Sequence, residues 1–161
     1  MPLYVAYNGP EPTTAKRVAV TTGTDIKTLL QVATPSTRKI HLIEWGIAFS
    51  GAAAATGIPV ELIETDVAAT VTALTPTKYR GAGDSLSLCV GGTAATGYTA
   101  TAEGTITAIR TLDALLLQPT ANYWHQFPLG REPGIDVSKF LRIRVHAAVA
   151  VDAICYVCWE E

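Results

Sequence analysis

The fold of this 161-residue chain is decided by the alternating stretch Leu141-Arg142-Ile143-Arg144-Val145-His146-Ala147. Successive side chains of a strand point to opposite faces of its sheet, so this period predicts a strand with one buried and one wetted face. The stretch follows an aromatic segment, residues 123–133, and precedes a final run, residues 153–159, that is apolar on both faces. A strand of that last kind is either central between two layers or covered by another subunit.

The remaining segments also predict strands. They are expected at residues 28–33, 38–50, 58–65, 71–74 and 103–117, the last with a bulge or turn near Asp113. Within residues 38–50 the odd positions form one apolar face: Ile43, Trp45, Ile47 and Phe49. Short strands joined by loops rich in Gly, Pro and Thr predict an all-β fold, an antiparallel β-sandwich or jelly-roll-like domain over residues 26–161. Residues 141–147 and 153–159 are expected to pair as a hairpin.

Residues 1–25 differ from the rest in their proline content. Pro2, Pro10 and Pro12 remove backbone donors and block regular pairing. The segment is therefore predicted to be an extended N-terminal arm with a short strand at residues 17–21, and a disordered tail is the alternative. In an assembly, such an arm would lie on a neighbouring subunit.

The composition favours a protein that is covered by other proteins. Apolar residues make up 48% of the chain and charged residues only 16%, whereas a typical soluble domain carries about 25% charged residues. The net charge of −2 gives no electrostatic reason to expect nucleic acid or an anionic membrane as partner. No apolar run approaches the roughly 18 to 20 residues of a membrane-spanning helix. Three cysteines without a scaffold pattern favour folding in a reducing cytoplasm.

The possible chemical motifs are weak. Cys155 and Cys158 form a C-x-x-C, but residues three apart on a strand point to opposite faces, so small core side chains are the simpler interpretation. A zinc site would need two further ligands. The three histidines are scattered, no G-x-S-x-G occurs, and the glycine-rich loops at residues 81–84 and 91–97 lack G-K-[ST]. We therefore predict no catalytic, cofactor-binding or metal-binding residue and no enzymatic activity.

Two groups of side chains are candidate contacts with other proteins. The aromatic residues of segment 123–127 are too many for a free loop and predict core or interface anchors. Arg142 and Arg144, with His146, form a basic stripe that is either a solvated face or a docking row for acidic groups, such as Glu160 and Glu161 of a neighbouring copy. The candidate interface residues are Tyr123, Trp124, Phe127, Arg142, Arg144, Tyr156 and Trp159.

Several of these segments resemble small structural proteins of tailed bacteriophages. They are Gln126-Phe127-Pro128-Leu129-Gly130-Arg131-Glu132 with Tyr123 before it, the strand at residues 141–145, and the ending Tyr156-Val157-Cys158-Trp159-Glu160-Glu161. Residues 43–51 and 59–62 are similar as well. The resemblance covers residues 35–75 and 105–161, and leaves out the N-terminal arm and the glycine-rich middle.

The resemblance implies a β-sandwich protein of the virion that decorates the outer capsid surface as a homotrimer. Its partners would be the major capsid protein and its own copies, and it would reach the capsid surface after assembly in the host cytoplasm. The alternative is a tail or fibre component with a receptor-binding or carbohydrate-binding sandwich, which exposed aromatic residues on loops would favour. A jelly-roll enzyme would need a His-x-His cluster with a Glu, and the sequence has none.

Overall fold

A computed structural model describes residues 1–161, which form thirteen β-strands and no helix. The strands are β1 (Leu3–Tyr7), β2 (Val20–Thr21), β3 (Ile26–Ala33), β4 (Ile40–Ser50), β5 (Ile58–Thr65), β6 (Thr70–Ala73), β7 (Thr77–Lys78), β8 (Gly97–Ala102), β9 (Ile109–Leu117), β10 (Asn122–Gln126), β11 (Gly134–Ile135), β12 (Phe140–His146) and β13 (Asp152–Glu160). No helix of membrane-spanning length and hydrophobicity occurs.

The strands build two antiparallel sheets. The seven-stranded sheet has the order β10-β4-β13-β1-β7, with β11 paired to β4 and β2 paired to β13. The six-stranded sheet has the order β6-β8-β3-β12-β5-β9. The predicted all-β antiparallel sandwich is confirmed, and the jelly-roll topology stays a prediction.

The core lies between the two sheets and is built by alternate side chains of their central strands. β13 contributes Cys155, Val157 and Trp159, and β12 contributes Leu141, Ile143 and Val145, all of them buried. Burying one large aliphatic or aromatic side chain stabilises a fold by about 1.5–3 kcal/mol. The apolar half of each alternating pattern is therefore what holds the sheets face to face.

Bulges in the strand pairings adjust which side chains face the core. The pairing of β13 with β4 shifts at Ile43, so that Leu42 takes an inward position and Ile43 does not, contrary to the prediction from its odd number. Trp45, Ile47 and Phe49 face the core as predicted. The predicted bulge in β9 is confirmed, because Leu62 pairs with Asp113 and the next residue of β5 pairs with Thr111.

The predicted hairpin between the last two long strands is wrong. β12 lies between β3 and β5 in the six-stranded sheet, whereas β13 lies between β4 and β1 in the seven-stranded sheet. Residues 147–151 therefore cross from one layer to the other. A connection of five residues is compatible with a hairpin or with a crossing between the sheets. The chain crosses because β12 and β13 each have non-local strands on both edges.

The N-terminal segment is in part a strand of the sandwich rather than an arm. β1 pairs with β13 over five residues, and Tyr4 and Ala6 are buried in the core. The prolines that predicted an unpaired segment flank this strand at positions 2 and 10 and do not interrupt it. Residues 10–16 lie outside any strand and are exposed, and β2 takes the end of the predicted strand at residues 17–21.

The chain's own segments cover the middle of the outer face of the six-stranded sheet, over β3 and β12, while Ile26, Ile109 and Leu116 are exposed nearer its rim. Gln31 accepts a hydrogen bond from the Ala69 amide at 2.8 Å and donates one to the Ala95 carbonyl at 2.7 Å. Asp66 accepts hydrogen bonds from the backbone amides of residues 107 and 108, and the Thr107 hydroxyl, which donates to the same carboxylate, is the main cause that lowers the pKa of Asp66 to about 2. These contacts fix the segments that lie over this face.

Candidate interface on the open face of the seven-stranded sheet

The outer face of the seven-stranded sheet carries a line of aromatic side chains. Trp124 on β10 is the cross-strand neighbour of Gly46 on β4, Gly46 is the neighbour of Tyr156 on β13, and Tyr156 is the neighbour of Tyr7 on β1. We call these four residues the aromatic row. Because these residues are cross-strand partners on the same face, the three aromatic side chains lie in one line across the sheet, with Gly46 between Trp124 and Tyr156.

Close packing orders the row. The ring centroids of Tyr7 and Tyr156 are 5.5 Å apart. A Cβ atom at Gly46 would lie 2.7 Å from Cε1 of Tyr156, so the tyrosine ring rests over the glycine and leans toward Trp124. Trp124 is 60% exposed, which is unusual for so large an apolar side chain. The row therefore offers ordered aromatic surface to another molecule.

One carboxyl group and one guanidinium border the row. Nε1 of Trp124 lies 3.4 Å from Oε2 of Glu44, to which it donates a hydrogen bond. At the other end, the Arg17 guanidinium lies 4.2 Å from the centre of the Tyr7 ring, a cation–π contact. Burial, and to a lesser extent the charge of Glu44, raise the pKa of Tyr156 well above its ordinary value, so the phenol is neutral at physiological pH.

The structure places the seven predicted interface residues in different surroundings. Trp124 and Tyr156 belong to the aromatic row. Tyr123 and Phe127 point to the other side of β10, where they are half-buried against the core. Trp159 is fully buried, with its ring 6.1 Å from that of Tyr4, so its assignment to an interface is wrong. The alternation of side chains in residues 123–127 could be predicted from the sequence, but the face of β10 that meets the second sheet could not.

The predicted basic stripe does not exist as an exposed surface. Arg142 has no exposed surface, because its guanidinium donates hydrogen bonds to the Val67 carbonyl, the Glu103 carbonyl at 3.0 Å and the Glu103 carboxylate at 3.3 Å. Arg144 is half-buried and donates two hydrogen bonds, of 2.9 and 2.7 Å, to Glu61. Both arginines are thus paired within the chain.

The acidic partner proposed for that stripe is also engaged. The Glu161 carboxylate accepts hydrogen bonds from the Ser87 hydroxyl, the Leu88 amide at 2.9 Å and Nε1 of Trp159 at 3.1 Å. Burial by itself would raise the pKa of Glu161, but these donors outweigh it, so that the pKa lies below its ordinary value. A docking row that joins Arg142 to Glu161 of a neighbour is therefore wrong.

The three cysteines are free and buried. Cys155 faces the core and Cys158 faces the outer side of the sheet, as the strand period predicts. Burial raises the pKa of all three thiols, that of Cys158 to about 12, so they are protonated near neutral pH. No three His, Cys, Asp or Glu side chains are gathered in an arrangement that could hold a metal ion.

A polar cluster that the sequence did not predict joins the two sheets at one edge. Asp113 on β9 accepts a hydrogen bond from the Tyr123 hydroxyl at 3.1 Å, and its Oδ2 lies 3.2 Å from Nδ1 of His125. Both partners are on β10, in the other sheet. No local pattern could have revealed this contact, because β9 and β10 belong to different layers. No family model, curated protein or solved structure matches the chain.

Proposed function

We propose that this chain is a non-enzymatic structural protein of a tailed-bacteriophage virion that decorates the outer capsid surface and stabilises it. The observation that supports the proposal is the aromatic row on the outer face of the seven-stranded sheet, with its 60%-exposed tryptophan. Contiguous exposed apolar surface of this kind marks contact sites for other proteins.

The chemistry of the row suits a protein partner. Tryptophan and tyrosine dominate the binding energy of protein interfaces, because they remove a large rigid surface from water at little cost in side-chain entropy. The row carries few charges that would have to be desolvated, in keeping with the low charged fraction of 16% for the whole chain. The major capsid protein is the proposed partner, and the capsid surface is the proposed location.

The small area of the face that carries the aromatic row limits the affinity of a single copy. Four strands about 4.8 Å apart, paired over about five residues at about 3.3 Å each, present a flat area of roughly 300 Å². A standard interface needs about 800 Å² from each partner. A single copy would therefore bind the shell weakly, and stable occupancy requires that neighbouring copies reinforce one another through avidity.

Removal of the exposed tryptophan tests the proposal. Trp124→Ala is expected to lower the affinity for capsids that lack this protein by roughly ten- to thirty-fold, as for an interface hot spot. The measurement is cosedimentation of purified protein with such capsids over a concentration series. The matched control is Leu116→Ala, which removes a side chain that is 70% exposed on β9 of the other sheet. Equal binding by Trp124→Ala and the original protein would contradict the proposal.

A carbohydrate-binding role in a tail or fibre is the second candidate, and one observation favours it. An exposed indole beside a carboxylate, as in Trp124 and Glu44, can stack on the apolar face of a sugar ring while the carboxylate accepts hydroxyl hydrogen bonds. This candidate predicts saturable binding on a glycan array that Trp124→Ala abolishes. Glycan binding without capsid binding would favour it over decoration.

A further inference from the structure

A single leucine projects from one end of the sandwich. Leu129 is 97% exposed, the largest exposed fraction of any large apolar side chain in the chain. It sits in a tight turn in which the Arg131 amide donates a 2.9 Å hydrogen bond to the Pro128 carbonyl and Gly130 adopts a φ of 81°. This is the backbone of a type II turn, which demands glycine at its third position. The turn holds the leucine side chain in a defined, exposed position. We call residues 128–131 the knob turn and the Leu129 side chain the knob.

An apolar cavity lies at the other end. It has a volume of about 570 Å³ and lies between the β4–β5 loop and the β12–β13 connection. Its walls are alanine and valine side chains of residues 52–55 and 148–151, with Pro119 at one side. Asp152 is the one charged residue of the lining. The cavity is large enough for a leucine side chain and part of the turn that carries it.

The knob of one molecule cannot enter its own cavity. Backbone hydrogen bonds from Phe127 to Ile43 and from Leu42 to Pro133 hold the knob turn beside the first residues of β4. The cavity begins at Ser50, the last residue of β4. From Leu42 and Ile43 to Ser50 the strand advances seven to eight residues, which separates the two ends by roughly 25 Å. Any knob that fills the cavity must therefore come from another molecule.

Charge also matches the two ends. Arg131 is exposed in the knob turn, and Asp152 is exposed at the cavity wall. Neither side chain takes part in an ion pair within the chain. Arg131 is two residues from Leu129 in the same turn, so a cavity that receives Leu129 brings a guanidinium close to its rim, where Asp152 offers a carboxylate.

We propose that copies of this chain join head to tail, with Leu129 of one copy seated in the cavity of the next and Arg131 paired with Asp152. A head-to-tail contact closes into a ring when its rotation allows and otherwise continues as a row. The inference deepens the proposed function and rests on it for its biological role, because linked copies supply the avidity that a small shell-binding face requires. The contact itself forms without a capsid.

The test is sedimentation velocity of the purified full chain over a concentration series without capsids. The original protein associates, and both Leu129→Asp and Ala54→Glu weaken its association roughly ten- to hundred-fold, because each places a charge in the apolar contact. Leu86→Asp, at a leucine that is 70% exposed elsewhere, and Ala54→Ser, which adds no charge and keeps the cavity open, leave association unchanged. Thermal melts verify folding, which is expected because Leu129 and Ala54 are exposed.

Charge reversal gives a second measurement. Arg131→Asp and Asp152→Arg each weaken association when alone, and a mixture of the two single variants shows restored association between unlike copies. The proposal is overturned if the original protein stays monomeric, if Leu86→Asp disrupts association as strongly as Leu129→Asp, or if the mixture shows no restoration. Monomers whose capsid binding still depends on Trp124 would refute this contact and leave the proposed function standing. Association without capsid binding would support this contact and contradict the proposed function.

Discussion

Arg142→Ala is expected to lower the free energy of unfolding by about 3–5 kcal/mol. The side chain has no exposed surface, and its guanidinium donates to two backbone carbonyls as well as to Glu103. Truncation leaves those carbonyls without a donor and leaves the Glu103 carboxylate, itself 24% exposed, without its counter-ion. Urea denaturation followed by tryptophan fluorescence measures the loss.

Arg144→Ala is the matched control, because Arg144 lies on the same face of the same strand. Its ion pair with Glu61 is more exposed, at 19% and 39% for the two side chains. Exposed pairs of this kind contribute about 0–1 kcal/mol and are weakened by salt. Added salt should therefore change the stability effect of Arg144→Ala and leave that of Arg142→Ala nearly constant. Equal losses for the two variants would contradict this prediction.

Trp159→Ala is expected to destabilise the fold by about 3–5 kcal/mol, the usual cost of deleting a large aromatic side chain from a packed core. The indole is fully buried against Tyr4, and its Nε1 donates to Glu161 at 3.1 Å. The truncation removes apolar contacts, opens a cavity and frees one acceptor. Chemical denaturation measures the effect, and Trp159→Phe, which keeps most of the ring volume, should recover part of the loss.

Trp124→Ala serves as the comparison at a residue of the same type. Its indole is 60% exposed, so the stability change should stay within about 0.5 kcal/mol. The two tryptophans thus separate folding from binding, because Trp159 contributes to stability and Trp124 contributes to the proposed shell contact. A stability loss at Trp124 as large as that at Trp159 would contradict the assignment of the open face.

The candidate site was only partly predictable from the sequence. Trp124 and Tyr156 could be named because aromatic residues in alternating segments are either core or interface anchors. Tyr7 could not be named, because the prolines on either side of β1 led to the prediction of an extended arm instead of a strand. The deletion of residues 1–24 that an arm would suggest as a test would in fact remove β1 from the sheet, and so would report on folding rather than on binding.

The amino-acid sequence by itself determined the all-β class, the two-layer construction and the inward direction of residues such as Trp45, Ile47 and Phe49. These features follow from the two-residue period of a strand, which is local and visible in any short window. Only the tertiary structure decided that β12 and β13 lie in different sheets, that Arg142 is buried while Trp124 is exposed, and that the knob and the cavity stand at opposite ends. A strand pattern distinguishes two faces, but whether a face is covered depends on segments far away in the chain, such as Val67 and Glu103 over Arg142.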